Sequence, residues 1–290
     1  TSEPAGPAYL TLSAEDAVQP ARLVSDEARS VQVISSPVEA RAAAEELARR
    51  LGEAERPLVV LGLGVRPDHA PALRRWLAAW QLPVAVTPKG KGLVDEQDPA
   101  TDFVGVVGGM AIDDLMVEAV QRADLIVGFG FDPVEVDKTW HAHRPILWVL
   151  ESAQAAGVLP RREVLLVEHG ALLAALDELT PPRNWERPFR EIQEERAAIA
   201  AGRSRAPARG LAPVGIVAAL ARVLPPETIV TTDVGSHKYL FGQFWPSRHP
   251  ETFWMSNGLS GMGYGLAAAI GAKLARPDAP VLAVLGDGGF

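Results

Sequence analysis

The stretch Pro280-Val-Leu-Ala-Val-Leu-Gly-Asp-Gly-Gly-Phe290 is an apolar run that ends in a glycine-rich turn carrying one acid. Val281 to Leu285 show no polar alternation, which reads as a strand buried on both faces. Such strands belong to parallel sheets and feed crossover helices. Two earlier stretches have the same form. Thr228-Ile-Val-Thr-Thr232 runs into Asp233-Val-Gly-Ser-His-Lys238, and Thr252-Phe-Trp-Met255 runs into Ser256-Asn-Gly-Leu-Ser-Gly-Met-Gly263. The Ala/Gly-rich segment Tyr264–Leu274 between the last two strands reads as a helix, and so does Val214–Leu224. An α/β unit is therefore expected to begin near Pro213.

Upstream, strands and helices alternate again. Pro57–Gly62, Pro83–Thr87, Asp124–Gly128, Pro145–Leu150 and Val164–Val167 are short apolar runs with the character of buried strands. Val38–Leu51, Pro71–Trp80, Ile112–Arg122 and Ala171–Leu179 carry helical patterns, with Gly52 as a stop for the first. A polar helix is expected over Trp185–Ala201, followed by the linker Gly202-Arg-Ser-Arg-Ala-Pro-Ala-Arg-Gly210. The fold class is thus α/β, with two doubly wound, mostly parallel-sheet domains, the second incomplete. The expected divisions are 1–34 as a leading remnant and linker, 35–180 as a central domain, 181–210 as a linker and 211–290 as the second unit.

Composition narrows the function. The chain has 290 residues, enough for about two domains, and its 48% hydrophobic and 22% charged residues are ordinary for a globular protein. It contains no Cys, which removes disulfides, thiolate metal sites and a Cys nucleophile. A net charge of −8 argues against nucleic acid as a partner. No apolar run approaches the ~18–20 residues that span a bilayer, and Thr1-Ser-Glu-Pro4 has no features of a secretory signal, so a cytoplasmic location with no membrane contact is expected.

The three turns are where chemistry is expected, because ligands bind outside the carboxyl ends of strands in open α/β sheets. Backbone N–H groups at helix starts suit phosphate. A carboxylate beside a phosphate repels it unless a cation lies between, which makes Asp287 a candidate ligand for Mg²⁺ or Ca²⁺. The same Asp-Gly pair also reads as a tight turn. Asp233 and Ser236 also read as helix N-caps, His237 as an ordinary surface or core histidine, Ser256-Asn257-Gly258 as a loop and Met262 as core. Gly62-Leu-Gly64 and Gly128-Phe-Gly130 lack the full G-x-G-x-x-G of a dinucleotide site.

In order and spacing, the three turns resemble the cofactor-binding domain of the thiamine-diphosphate-dependent enzymes of the acetolactate synthase and pyruvate oxidase group. Thr87-Pro-Lys-Gly-Lys-Gly92 and Ala123-Asp-Leu-Ile-Val-Gly-Phe-Gly-Phe-Asp-Pro-Val-Glu135 are similar to that group's middle domain. Gly6-Pro-Ala-Tyr-Leu-Thr-Leu12 looks like the closing strand of its N-terminal pyrimidine-binding domain. The resemblance implies thiamine diphosphate and Mg²⁺ as cofactors. It implies 2-keto acid decarboxylation, transfer of the two-carbon unit to a second keto acid as in branched-chain amino acid biosynthesis, and a homodimer or homotetramer. It implies that Gly235, Ser236 and His237 hold the diphosphate, with Ser256 and Gly286 beside them. Gly288 and Gly289 would offer N–H groups, Asp287 would bind the metal, Met262 would prop the cofactor in its bent form, and the Ser260 carbonyl would receive the 4′-amino group.

The resemblance also implies that groups lie elsewhere. The activating Glu belongs to the N-terminal domain of a neighbouring subunit, and a second metal ligand, an Asn, lies beyond Phe290. The chain opens without Met and stops after a ligand-type turn, so it is expected to be a segment, inert by itself. Gly130-Phe-Asp-Pro-Val134 departs from the Arg-Phe-Asp-Asp-Arg of anabolic members. That leaves FAD, and the anabolic or catabolic branch, open. A non-catalytic nucleotide-binding or regulatory module using Gly62 and Gly64 is the alternative. A nicotinamide dehydrogenase is a third class, disfavoured by the missing fingerprint.

Overall fold

A computed structural model describes residues 36–131, 135, 144–151, 163–201, 212–257 and 260–290. The expected strand near Tyr9 and the Gly202–Gly210 linker lie outside the described residues.

The first unit opens with α1 (Pro37–Glu53). Ser36 and Glu39 form a reciprocal capping box at its start, and Pro37 supplies a preset φ at the first turn. Ala40, Ala44, Leu47 and Leu51 form its buried stripe. The helix continues through Gly52, where the missing Cβ admits the ring of Pro182. Gly52 is therefore a packing residue and not the stop expected from the sequence.

There follow β1 (Pro57–Leu61), α2 (Ala70–Trp80), β2 (Val84–Val86), β3 (Phe103–Val106), α3 (Asp113–Arg122), β4 (Leu125–Phe129), β5 (Ile146–Leu150), β6 (Glu163–Leu166), α4 (His169–Asp177) and α5 (Arg190–Ala200). The six strands make one parallel sheet in the order β3-β2-β1-β4-β5-β6. The strand order reverses between β1 and β4, the switch point at which open α/β sheets commonly bind ligands at the carboxyl edge. Alternate residues feed two cores. Val59 and Leu61 face α1, α2 and α4, whereas Leu58 and Val60 face α3 and α5. Gly128 lies mid-strand because a Cβ there would run into the buried ring of Trp148.

The second unit contains α6 (Pro213–Val223), β7 (Ile229–Thr232), α7 (Ser236–Phe244), β8 (Phe253–Met255), α8 (Tyr264–Ala275) and β9 (Val281–Val284). Its strands form a separate parallel sheet in the order β8-β7-β9. No described strand bridges the two sheets, but one apolar core runs through both units. Phe241, Trp245, Phe253 and Met255 pack in the same cluster as Leu93 and Val94.

Polar contacts reinforce this seam. Lys91 donates to Glu96 at 2.7 Å and to the Trp245 carbonyl at 2.9 Å, and both side chains of the ion pair are buried. Burial pushes the Lys91 ammonium down and the Glu96 carboxyl up, each toward its neutral form. Arg74 donates to the carbonyls of Gly92, Leu93 and Arg248. Half of the expected 181–210 linker packs as structure, since Trp185, Phe189 and Ile192 are buried against the first unit.

Candidate functional site

All strands of the second sheet are parallel, so the turns after β7, β8 and β9 leave from one edge. Asp233 follows β7 and is fully buried. Its Oδ1 accepts from Val234 N at 2.7 Å and its Oδ2 from Gly263 N at 2.7 Å. Gly263 has φ 90° and caps α8, a left-handed conformation that suits glycine. A Cβ on Gly289 would run into the same Asp233 carboxylate. One buried side chain thus hydrogen-bonds its own turn and the turn after β8, and lies against the turn after β9. The sequence offered Asp233 only as an N-cap; the structure gives the cap of α7 to Gly235, which makes no side-chain bond there.

The start of α7 carries the next set. Gly235 holds φ 143°. No capping side chain reaches the first N–H groups of this helix among the described residues, so they point outward as a helix N-terminus does. The His237 Nε2 is buried without a hydrogen-bond partner, and its ring lies against Gly286, where a Cβ would meet Cε1 at 3.4 Å.

Lys238 is 4% exposed and spans to the next turn, donating to the Ser256 carbonyl at 2.6 Å and to Ser260 Oγ at 3.0 Å. Burial pushes its ammonium below the usual lysine range. Ser260 adopts a left-handed φ of 49°, which the Lys238 bond helps to hold. Gly258 and Leu259 lie outside the described residues.

The third turn is a short 3-10 turn, Asp287–Gly289, closed by Gly289 N donating to the Gly286 carbonyl at 3.1 Å. It is not a hairpin. Asp287 is exposed and has no ion pair or hydrogen bond among the described residues. Met262 is 72% exposed, and its sulfur stands 3.2 Å from where a Gly288 Cβ would lie. The structure therefore joins Gly235, His237 and Gly286 in one contact group and Met262 with Gly288 in another, while Ser256 and Ser260 meet through Lys238. Lys238 and the bridging role of Asp233 were missed in the sequence. A buried lysine between turns leaves no local pattern; its only signal was its place just after Gly-Ser-His.

In the first unit, the Gly62-Leu-Gly64 turn is filled by the chain itself. Gly62 N and Gly64 N donate to the carbonyls of Phe129 and Gly130, and Leu63 N donates to the Glu135 carboxylate at 2.9 Å. Thr87 Oγ1 donates to that carboxylate at 2.5 Å. The nucleotide-binding alternative needed these amides for a phosphate.

Residues 44–166 match the family model described as "Thiamine pyrophosphate enzyme, central domain". Residues 233–290 match "Thiamine pyrophosphate enzyme, C-terminal TPP binding domain". The acetolactate synthase isozyme 2 large subunit of Escherichia coli (strain K12) is 31% identical over 252 residues, covering 85% of this chain and 45% of the relative. A probable acetolactate synthase large subunit of Methanocaldococcus jannaschii is 30% identical over 278 residues, covering 85% and 44%. An acetolactate synthase of Bacillus subtilis (strain 168) is 27% identical over 290 residues, covering 90% and 48%. The chain spans about half the length of these curated relatives.

Proposed function

The chain belongs to the thiamine pyrophosphate enzyme family, and from that premise we propose that it forms part of a thiamine-diphosphate- and Mg²⁺-dependent carboligase of 2-keto acids, most like acetolactate synthase. The observation that carries this reading is the convergence of three polar turns on Asp233 at one sheet edge. The residues present fit a metal-bound diphosphate. The start of α7 offers N–H donors, His237 offers a buried nitrogen with no internal partner, and Gly288 and Gly289 keep side chains out of the way.

In this proposal Gly235, Ser236 and His237 bind the diphosphate, with Ser256 and Gly286 lining its edge. Asp287 would hold the Mg²⁺, whose charge would offset the repulsion between a carboxylate and a phosphate. The exposed Met262 would offer the cofactor an apolar support, and the Ser260 carbonyl would be an acceptor for it. When bound, thiamine diphosphate supplies the electron sink for loss of CO₂ and transfer of the remaining carbons. The chain's residues supply orientation. Asp233 and Lys238 hold the three turns in register, so the binding groups face one space. Homo-oligomeric assembly is part of the proposal. It is supported by the outer face of α8, where Leu266, Ile270 and Leu274 are 37%, 55% and 75% exposed.

The test is Asp287→Ala in the complete protein, read by equilibrium dialysis of thiamine diphosphate with and without Mg²⁺. Wild type should retain cofactor only with Mg²⁺, and the variant should lose that dependence together with CO₂ release from pyruvate. Normal metal dependence in the variant would overturn the assignment.

A further inference from the structure

A second group of polar side chains gathers at the carboxyl edge of the other sheet. His69 ends the 3-10 turn Pro67–His69 that follows β1. Glu151 follows β5, and His169 is the first residue of α4, after β6. One ligand-type atom from each of these residues lies within 4.8 Å of the others. Their side chains are 14%, 27% and 1% exposed.

The proton inventory of His169 makes this cluster unusual. Its Nε2 lies 3.3 Å from the Val149 carbonyl, which can only accept, so Nε2 carries the hydrogen. Nδ1 is then left as a lone pair. It is buried, has no hydrogen-bond partner among the described residues, and faces Glu151 Oε1 at 3.5 Å. That oxygen already accepts from His169 N at 2.6 Å. A buried ring nitrogen with no hydrogen thus faces a partly exposed carboxylate oxygen. His69 Nδ1 is buried without a hydrogen-bond partner as well, while its Nε2 lies 3.7 Å from Glu168. Glu168 is committed to capping α4 through Gly170 N and Ala171 N.

We propose that His69, Glu151 and His169 hold one divalent transition-metal ion of the zinc class. A cation between Nδ1 and Oε1 turns the repulsive pair into two bonds. Imidazole with one carboxylate is a donor set for Zn²⁺ and its neighbours, whereas Mg²⁺ takes oxygen ligands. A ligating histidine usually donates its other N–H to a carbonyl or carboxylate, as His169 does to Val149.

Metal bonds of about 2.0–2.1 Å set tetrahedral ligands roughly 3.3 Å apart. Nδ1 and Oε1 already stand at 3.5 Å. The His69 ring lies edge-on to His169, with centroids 6.4 Å apart, and its ligand atom, within 4.8 Å of the others, must close by up to about 1.5 Å onto the ion. Three protein ligands leave a fourth position for water. The ion would tie together the loops after β1, β5 and β6. It belongs to a different sheet from Asp287 and does not depend on the cofactor proposal.

The test uses the 290-residue chain, freed of metal by chelation and titrated with Co²⁺. Wild type should bind one equivalent with the intense visible absorption of tetrahedral cobalt, and Zn²⁺ should displace it in the presence of excess Mg²⁺. His69→Gln and Glu151→Gln should each weaken binding by about 100-fold or more, judged against the smaller losses seen for outer-shell changes. His249→Gln should leave it unchanged. Melting of each variant in chelator separates lost ligation from lost folding. X-ray absorption of the wild-type zinc form gives a readout that needs no variant, with two imidazoles and an oxygen expected. Absence of cobalt binding, unchanged binding in both ligand variants, or a first shell without two imidazoles would overturn the site.

Discussion

Gln243 is the side chain whose removal should separate the two units. It sits near the end of α7 and is fully buried. Its amide docks on Val106 of β3 as a neighbouring strand would. Oε1 accepts from Val106 N at 2.9 Å, and Nε2 donates to the carbonyls of Val106 and Ala111 at 3.0 Å each. β3 is the edge strand of the six-stranded sheet, so Gln243 closes an edge that would otherwise present unpaired backbone. Arg196 clamps the arrangement from α5, reaching Gln243 Oε1 and its carbonyl. Gln243→Leu keeps most of the volume and strands three backbone groups. At about 1–3 kcal/mol for each buried group left without a partner, the loss should be about 3–5 kcal/mol after local relaxation. With about 2–4 °C of melting temperature per kcal/mol, the fall should be roughly 6–20 °C. Urea unfolding should be followed by far-UV circular dichroism and by tryptophan fluorescence, since Trp245 reports on the seam and Trp148 on the first sheet. The wild type should give coincident curves. The variant should give an earlier fluorescence change and a broadened transition. A loss below about 0.5 kcal/mol, within the range of an ordinary surface substitution, would refute the view that this amide joins the units.

Two further substitutions probe the same framework. Gly289→Ala puts a methyl group into the Asp233 carboxylate and should cost about 1–3 kcal/mol. At Gly286 the nearest atom is His237 Cε1 at 3.4 Å, so Gly286→Ala should be nearly neutral; equal melting temperatures for the two variants would contradict the assigned role of Asp233. Lys91→Met takes from the buried Glu96 carboxylate its hydrogen-bonded cation, leaving only the field of Arg196, and should cost about 3–5 kcal/mol by urea titration, whereas adding Glu96→Leu should restore most of it. A double variant as unstable as the single one would show that the pair is not coupled.

The sequence was most legible where the physics is local. The continuous apolar runs of β1, β4 and β5 announce strands covered on both faces, and the glycine-rich turns mark where the chain leaves the sheet. The run of β9 also announces a strand, but its four residues are only half-buried, so the expected burial on both faces does not hold there. β3 was not legible. It is four residues long with Gly105 inside it, and its identity rests on pairing with β2 on one side and on Gln243 on the other. The common core was equally hidden. Trp245 and Phe253 pattern as ordinary residues of the second unit, and their burial with Leu93 and Val94 is a long-range fact. Ser36 was not recognised as a cap, although a capping box is a sequence signal and Glu39 stands at the required spacing.

The candidate site divides the same way, and the division follows from hydrogen bonding. Asp233 and Lys238 spend their polar atoms inside the protein on Val234, Gly263, Ser256 and Ser260. Their role depends on partners up to 30 positions away, so no short motif predicts it. The start of α7, His237 Nε2, Asp287 and Met262 behave oppositely, with no capping bond, no internal partner or high exposure. Such groups are costly or neutral for folding, since an orphaned buried nitrogen and an uncovered methionine stabilise nothing within the chain. Groups that do not serve the fold are the ones a ligand can satisfy without competing against it. Here N–H donors and an imidazole suit a phosphate, a carboxylate suits a cation, and an apolar thioether suits a ring system. The groups that hold the turns are thus distinct from those that face outward. A variant in the first set should lower stability and binding together, and a variant in the second should lower binding while leaving the melting temperature in place.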